Sequence, residues 1–235
     1  MRTRLHFEIL PQPDLATCGP TCLHAIYHFY RDPVSLDQVI RDVPVLEEGG
    51  TLAVFLACHA LRRGYDATIY TYNLQVFDPT WFQKDGIDIP EKLRAQARCK
   101  KTKKLQRATA GYLEFFELGG KLKYEDLTQE LIESYLSRSR PILTGLSATY
   151  LYRSAREYGA VDVVDDDIRG EPSGHFVVLC GIDKESGLIQ VADPINPSPL
   201  AAKHHYTVSV NRVIGAIMQG IITYDANLLI IEPKA

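Results

Sequence analysis

No stretch of this 235-residue sequence approaches the roughly 20 consecutive apolar residues that a helix needs to cross a bilayer. The amino terminus reads MRTRLHFEILPQP, and Glu8 and Pro11 interrupt it before an apolar run long enough for a signal peptide has formed. The sequence also lacks internal repeats and low-complexity linkers. These absences predict a soluble globular protein of the cytoplasm with no membrane partner.

Charge and cysteine content exclude two further classes of protein. The formal net charge of −3 provides no long-range attraction to nucleic acid, so we expect no nucleic-acid partner. Five cysteines are an odd number, and their irregular spacing does not suggest a disulfide framework. We therefore expect reduced thiols. Hydrophobic residues make up 46% of the chain, which is enough for an ordinary core.

Two helices and a strand are predicted near the amino terminus. The first helix covers 18–31, with Pro20 in its first turn, where a missing backbone N–H does no harm. The second is predicted to begin after Thr51 as its N-cap and to end at Gly64. A strand pattern follows directly at 66–72.

The rest of the chain divides into a charged middle and a strand-rich end. Between 73 and 140 the pattern is helical and charged, and it predicts helices at 91–116 and 125–139. Later strands are predicted at 141–147, 175–182, 188–193 and 228–232, with a helix near 209–219. Helices followed by mostly antiparallel strands indicate an α+β fold. We expect one domain spanning 1–235, with 73–140 as a charged helical elaboration.

Cys18 is the candidate nucleophile. It stands where the first helix begins, and the free N–H groups and positive dipole end of that helix would stabilise a thiolate. Gly19 would let a substrate approach the backbone closely, and Gln12 lies on the preceding loop, able to donate a side-chain N–H toward the same point. A thiol nucleophile also needs a base.

Among seven histidines, one is placed differently from the others. His175 follows Gly174 at the mouth of a very apolar strand, where a buried imidazole requires a hydrogen-bond partner. The other six lie in terminal, helical or polar segments: His6, His24, His28, His59, His204 and His205. His175 is therefore the candidate base.

The partner of His175 can be sought from strand register. If a loop with an odd number of residues centred on Glu185 closes a hairpin, the residue numbers of each cross-strand pair sum to 370. Val177 then faces Asp193, and Asp193 is a diagonal neighbour of His175. Diagonal side chains lie about 7–8 Å apart at the backbone, within reach of a hydrogen bond from imidazole to carboxylate. A change of one residue in the loop would instead place Asn196 opposite His175. We favour Asp193 and keep Asn196 as the alternative.

Gln, Cys, His and Asp in this order along the chain are the constellation of papain-like enzymes. More closely, the sequence resembles the bacteriocin-processing peptidases that cleave double-glycine leaders and the standalone proteins related to them. The resemblance rests on Q-x5-C-G-x-x-C-L at 12–23, G-H-F-V-V-L at 174–179 and A-D-P at 192–194. It implies a papain-like α+β fold, in which the nucleophile opens a central helix packed on the sheet.

The resemblance also implies the role of each site residue. Cys18 is the nucleophile, His175 the general base and acid, and Asp193 the group that orients the imidazole. Gln12 and the backbone N–H of Cys18 form the oxyanion hole. The chain is then a bacterial cysteine hydrolase that cleaves a peptide or amide bond without a cofactor.

Further residues are predicted to surround the substrate or to serve partners. Gly174 belongs to a glycine-containing loop able to act as a lid, and Asp167 of an acidic stretch at 161–174 is expected on the cleft rim, favouring a cationic substrate end. The basic run of 94–107 could dock an acidic protein partner, although such a run is most often a solvated helix face.

Three alternatives stay open at this point. A transferase or non-peptide amidase would use the same residues, with an amine displacing the acyl group. A non-catalytic module would keep the fold and bind a partner protein through the middle helices. A zinc site of Cys18, Cys22, His24 and His28 is disfavoured, because the helix separates the two pairs on its surface, and Cys22 fits core packing better.

Overall fold

The structure is a computed structural model that describes residues 2–47, 49–159 and 163–234. The helices are α1 (Cys18–Phe29), α2 (Leu36–Asp42), α3 (Ala53–Arg62), α4 (Ile89–Cys99), α5 (Lys103–Glu117), α6 (Gln129–Leu136), α7 (Ala148–Tyr152) and α8 (Val210–Gln219). The strands are β1 (Arg2–Arg4), β2 (Tyr65–Thr71), β3 (Lys121–Lys123), β4 (Ile142–Ser147), β5 (Glu157–Tyr158), β6 (Val164–Asp165), β7 (Gly174–Asp183), β8 (Leu188–Ala192), β9 (His205–Ser209) and β10 (Asn227–Pro233). Short 3-10 turns occupy Pro79–Phe82 and Gly220–Thr223.

Most of the strands form one sheet, in the order β3-β2-β10-β4-β7-β8-β9, and β1 adds to the far end of β7. All of its pairings are antiparallel except that of β2 with β3. A separate hairpin joins β5 to β6. The predicted α+β class with a mostly antiparallel sheet is therefore confirmed. Strands β1, β3 and β9 were not predicted, because each is short and polar.

Helix α1 packs directly on the strand that carries His175. Its side chains Leu23, Ile26 and Tyr27 are completely buried, and burial of an apolar side chain of this size contributes about 1.5–3 kcal/mol. The thiol of Cys22 donates a hydrogen bond of 3.2 Å to the carbonyl of Phe176 in β7. The first helix and the middle of the sheet thus form one packed unit, and Cys22 belongs to its core as predicted.

The hairpin between β7 and β8 differs from the prediction in its loop but not in its register at the site. Asp183 pairs with Leu188, so the loop has four residues, and Asp183 Oδ1 accepts the N–H groups of Glu185 and Ser186. An irregularity between Leu179 and Gly181 then shifts the register by one residue. On the side of this irregularity toward His175, the residue numbers of each pair sum to 370 as predicted, for example Val178 with Ala192. The predicted odd loop was wrong, and the bulge compensates for it.

The charged middle contains two helices where one was predicted over 91–116. Helix α4 ends at Cys99 and α5 begins at Lys103, with Lys100 extended between them. Four lysines at 100, 101, 103 and 104 repel one another here, and β-branched Thr102 is the N-cap of α5. Gln106 stabilises the break, because its amide donates to the carbonyls of Ala97 and Lys100.

The start of α3 also differs from the prediction. Leu52, not Thr51, is the N-cap residue, and it provides no side-chain cap. The hydroxyl of Thr51 donates instead to the carbonyl of Pro44 at 2.8 Å. Thr51 thus stabilises the preceding loop through this hydrogen bond and does not cap the helix.

The middle segment packs into the same cluster of buried side chains as α1 and the sheet. Leu93, Leu105 and Phe115 belong to that cluster. The basic residues of the segment make contacts within the chain: Arg98 reaches Glu91 at 2.9 Å, and Lys103 reaches Glu47 at 2.8 Å. Exposed pairs of this kind contribute little to stability. An acidic protein partner for this surface stays a prediction.

Among the residues that the structure describes, no helix combines the length and the apolar character needed to cross a membrane.

Candidate active site

Cys18 is the first residue of α1, and its side chain is largely buried, with 7% of its surface exposed. The N-cap, Thr17, makes no side-chain hydrogen bond to the helix, and the first turn carries no acidic residue. The positive end of the helix dipole therefore acts on the thiol without a competing carboxylate.

His175 and Asp193 form a buried hydrogen-bonded pair. The Nε2–H of His175 donates to Asp193 Oδ1 at 2.8 Å, and the two residues are 5% and 0% exposed. His175 stands near the start of β7, and Asp193 follows the last residue of β8. Because Val178 pairs with Ala192, the ladder brings the imidazole and the carboxylate to one face. Asn196, the alternative partner, is exposed.

The carboxylate of Asp193 accepts four hydrogen bonds, which fully occupy it. Besides His175, Oδ1 accepts the backbone N–H of Ile195 at 3.0 Å. Oδ2 accepts the hydroxyls of Tyr152 at 2.7 Å and Tyr206 at 2.6 Å. The two tyrosines come from α7 and β9, so three separate elements converge on this one group. A buried charge is tolerated only with such complete pairing.

The electrostatics of the pair favour an imidazolium and a carboxylate. Burial alone would lower the pKa of His175, but its interactions with Cys18 and Asp193 outweigh burial and raise the pKa to about 10. Burial would likewise raise the pKa of Asp193, and the hydrogen bond and charge of His175 instead hold it below its usual range. The site therefore retains a proton on His175 at neutral pH.

Cys18 and His175 interact although 156 residues separate them in the sequence. Cys18 is among the groups that raise the pKa of His175. Since Nε2 of the imidazole is bound to Asp193, Nδ1 is the ring nitrogen left for the thiol. The structure thus shows a buried imidazole–carboxylate pair, with Cys18 near enough to affect the pKa of the imidazole.

Gln12 lies on the loop before α1, tied to the region of Asp193. Its backbone N–H donates to the carbonyl of Pro194 at 2.8 Å. Its side-chain Nε2 donates to the carbonyl of Asp14 at 2.8 Å, and Oε1 is buried without a partner among the described residues. An amide nitrogen carries two hydrogens, and among the described residues only one of them has a protein acceptor.

The three predicted substrate-binding residues differ in their surroundings. A Cβ on Gly19 would lie 2.6 Å from Thr51 Cγ2 and 3.2 Å from Phe176 Cδ2, so close packing accounts for this glycine. Gly174 is exposed beside the site. Asp167 is exposed on the loop after β6, and its carbonyl accepts a hydrogen bond from Arg156. Of the acidic stretch that contains it, residues 161 and 162 lie outside the described residues.

Tyr152 and Tyr206 are site residues that were not singled out from the sequence. Tyr152 belongs to the aromatic segment after β4, where tyrosines at such spacing usually pack, and its ring centroid lies 6.1 Å from that of His175. Tyr206 lies in β9, a strand that was not predicted. A polar tyrosine beside a buried carboxylate is recognisable only after the strands are paired.

The hydroxyl of Tyr206 gives a first testable prediction. We expect Tyr206→Phe to lower the free energy of unfolding by about 1–2 kcal/mol, because the buried Asp193 Oδ2 loses one of two donors. Urea unfolding measures this loss. The matched control is Tyr150→Phe, which alters an exposed tyrosine of α7 and should change stability by less than about 0.5 kcal/mol. Equal effects of the two changes would contradict the role of Tyr206.

No group of three or more His, Cys, Asp or Glu side chains within 2–47, 49–159 and 163–234 is arranged to hold a metal ion. The cysteines are all free; Cys18, Cys22, Cys58 and Cys180 are buried and Cys99 is exposed. His24 and His28 stack on each other on the surface of α1, with ring centroids 6.5 Å apart.

A mostly antiparallel sheet bearing His175 and Asp193, with a helix that begins at a cysteine packed against it, defines a cysteine peptidase-type fold of the papain-like class. The model of the Peptidase_C39 like family matches residues 4–214, and the chain belongs to that family. No curated protein sequence matches the chain significantly.

Two solved structures that are similar to this chain share little sequence identity with it. A chain described as a C39-like peptidase from Bacillus anthracis is 11% identical, with a TM-score of 0.54 and coverage of 100% of this chain and 99% of that one. A double glycine motif protease from an AMS/PCAT transporter, solved in complex with its leader peptide, is 16% identical. Its TM-score is 0.49, with 99% of this chain and 95% of that chain covered.

Proposed function

We propose that this chain is a cysteine hydrolase that cleaves a peptide or amide bond through an acyl-thioester on Cys18. In this proposal residues 1–235 act as one papain-like domain. The observation that carries the proposal is the buried hydrogen-bonded pair of His175 and Asp193, with Cys18 among the groups that raise the pKa of the histidine. Membership of a peptidase family supports a peptide as the substrate.

The mechanism begins with a thiolate and an imidazolium. The Cys18 sulfur attacks the substrate carbonyl carbon, and the C=O electrons move onto the oxygen. As the C–N bond breaks, His175 gives its proton to the leaving amine, and the acyl group stays on sulfur as a thioester. His175 then takes a proton from water, whose oxygen attacks the thioester. The acid is released and the Cys18 thiolate and His175 imidazolium are restored.

The remaining residues assist these steps. Asp193 keeps the Nε2–H of His175 directed toward itself and so presents Nδ1 to Cys18. Gln12 and the backbone N–H of Cys18 are proposed to bind the developing oxyanion, a contribution that in other enzymes is worth about 10²–10³ in rate per donor. Asp167 on the rim would favour a cationic group in the substrate.

Alkylation of the native protein with iodoacetamide near neutral pH tests the proposal. We expect Cys18 to react at least about tenfold faster than Cys99, although Cys18 is buried and Cys99 is exposed, because a thiolate is the reactive form. Peptide mass spectrometry assigns the label to each cysteine. The order of rates separates chemical activation from simple access, since access alone would make Cys99 the faster thiol.

The control for this experiment removes the base. In a His175→Ala variant, Cys18 should lose its advantage and react more slowly than Cys99. A wild-type protein in which Cys99 reacts first and Cys18 reacts slowly would contradict the proposed enzyme activity and favour a binding module that retains the fold.

A second experiment separates a hydrolase from a transferase. If the protein cleaves a substrate, amines are added to the reaction, and aminolysis in place of hydrolysis would identify a transferase.

A further inference from the structure

An open cavity lies beside the strand that carries His175. Its volume is about 370 Å³, and its wall includes Ser147, the last residue of β4, and Pro172, on the segment that leads into β7. Ser147 pairs with Gly174 across the two strands, and Gly174 is exposed. Pro172 is three residues before His175, and an extended chain spans at most about 3.6 Å per residue, so their backbones lie within about 11 Å of each other.

Two arginines line the cavity, and none of its described lining residues is acidic. Arg153 is exposed, and its side chain makes no ion pair or hydrogen bond with any described residue. Arg156 is fixed instead, because its guanidinium donates to the carbonyls of Asp167 and Ile168 in the loop after β6. The guanidinium of Arg153 thus presents its N–H donors, whose planar arrangement matches a carboxylate, without a competing partner.

Two carboxylates in neighbouring turns are bound to other groups and leave the charge of Arg153 unneutralised. Asp225, in the turn before β10, is buried and accepts the hydroxyl of Thr223 at 2.8 Å. Asp166, in the loop after β6, accepts the guanidinium of Arg169 at 2.6 Å. Neither carboxylate lines the cavity.

Apolar side chains give the cavity a second kind of surface. Tyr150 and Ile222 line it and are 47% and 52% exposed. The ring of Tyr150 packs closely on α8, since a Cβ on Gly215 would lie 2.8 Å from its Cε1. The ring is thus held in place while it stays accessible. A fixed apolar wall beside an available positive charge suits a ligand that carries both an apolar group and an anion.

The helix α7 connects this cavity to the candidate active site. Tyr152, its last residue, donates to Asp193, and Arg153 is the residue that caps its end. Arg153 has a φ of 57°, in the left-handed region that a non-glycine residue rarely adopts. Consecutive residues therefore serve the buried carboxylate of the site and the exposed guanidinium of the cavity.

We propose that this cavity binds an acidic residue of a peptide substrate, with the substrate carboxylate on Arg153 and an adjacent apolar side chain against Tyr150 and Ile222. This inference rests on the proposed function, because it names the substrate class of the same site. A separation of about 11 Å from the backbone of His175 corresponds to about three extended residues, so the acidic residue lies about three positions from the cleaved bond.

Binding is measured first, on the full chain carrying Cys18→Ala so that no cleavage intervenes. The probes are acetyl-Leu-Glu-amide and acetyl-Leu-Gln-amide, which have the same size and differ in charge. Their titration is followed by the NMR signal of the Ile222 methyl groups. We expect the Glu probe to shift this signal and to bind about three- to tenfold more tightly than the Gln probe, because a charge-assisted bond replaces a neutral one.

Arg153→Glu in the same background reverses the charge of the cavity. The side chain is exposed and has no partner among the described residues, so the fold should be retained. We expect this variant to lose the preference for the Glu probe and to bind acetyl-Leu-Lys-amide more tightly. Arg41→Glu is the matched control, because it makes the same change on the exposed surface of α2, which does not line the cavity. It should keep the preference for the Glu probe.

Hydrolysis gives the second readout, with the Cys18 sulfur in place. Peptides carry Glu, Gln or Lys in turn at each of the three positions on either side of the cleaved bond. We expect the wild type to prefer Glu at one position by about three- to tenfold in kcat/KM, and Arg153→Glu to prefer Lys at that position.

Three outcomes overturn the proposal. The first is equal binding of the Glu and Gln probes while Arg153 is present. The second is a preference for Glu that persists in Arg153→Glu or disappears equally in Arg41→Glu. The third is tighter binding of the Lys probe while Arg153 is present, which would support Asp167 as the dominant charge of the rim. If no peptide is cleaved, the hydrolase proposal fails by itself, and the binding comparison still decides whether the cavity takes an acidic residue.

Discussion

Cys18→Ala is expected to lower kcat/KM for peptide or amide hydrolysis by at least about 10³-fold, because no acyl-thioester forms without the sulfur. The small side chain sits at the buried start of α1, so the fold should survive, with a loss of about 1 kcal/mol or less in the free energy of unfolding. Hydrolysis of a peptide library measured by mass spectrometry, together with urea unfolding, measures both quantities.

Cys22→Ala is the matched control, one helical turn further into α1. Cys22 is completely buried, its thiol bonds to the carbonyl of Phe176, and burial raises its pKa well above the usual value. It should lose about 1–2 kcal/mol of stability and keep its activity within about tenfold. Hydrolysis that persists in Cys18→Ala at the wild-type rate would remove Cys18 from the mechanism.

The residues of the candidate site were predictable where their chemistry and strand register follow from a short stretch of sequence. Cys18 opens an apolar helix, His175 opens an apolar strand, and the hairpin brings Asp193 near the imidazole. The success at Asp193 depended on compensation: the loop was predicted to have an odd number of residues and has four, and the bulge after Leu179 restored the register. A bulge adds an unpaired residue to a strand, and the local sequence pattern does not reveal where it lies.

Other features depended on contacts between distant segments. The break between α4 and α5 is stabilised by Gln106, which bonds to carbonyls on the preceding helix, and helical periodicity continues across it. Tyr152 and Tyr206 meet at Asp193 only after α7 and β9 have packed. Asp225 lies in a short polar turn, and its burial follows from the glycines at 145 and 174 on two other strands. Periodicity reports which face of an element is buried, but not which polar groups meet there.

Asp193→Asn is expected to lower both stability and activity. The four groups that converge on Asp193 are all donors, and an amide offers one accepting oxygen and a nitrogen that only donates. At least one donor therefore loses its partner inside the protein. We expect a loss of about 3–5 kcal/mol in the free energy of unfolding, measured by urea unfolding, which is the range found when one member of a buried charged pair is removed.

The same change should alter the pH dependence of the reaction. The hydrogen bond and charge of Asp193 are among the interactions that raise the pKa of His175 to about 10, so their loss lowers it. The imidazolium is then lost at a lower pH, and the alkaline fall in kcat/KM should move downward in pH, with a drop in kcat of about 10³–10⁴ at neutral pH.

Asn196→Ala separates this role of Asp193 from that of the other candidate orienter. Asn196 is exposed, so its removal should leave the alkaline limb of the pH profile at the wild-type pH. The free energy of unfolding should change by less than about 0.5 kcal/mol. An alkaline limb that stays in place in Asp193→Asn, or that moves in Asn196→Ala, would contradict the assignment. The orientation of His175 would then have to come from a group other than the buried carboxylate.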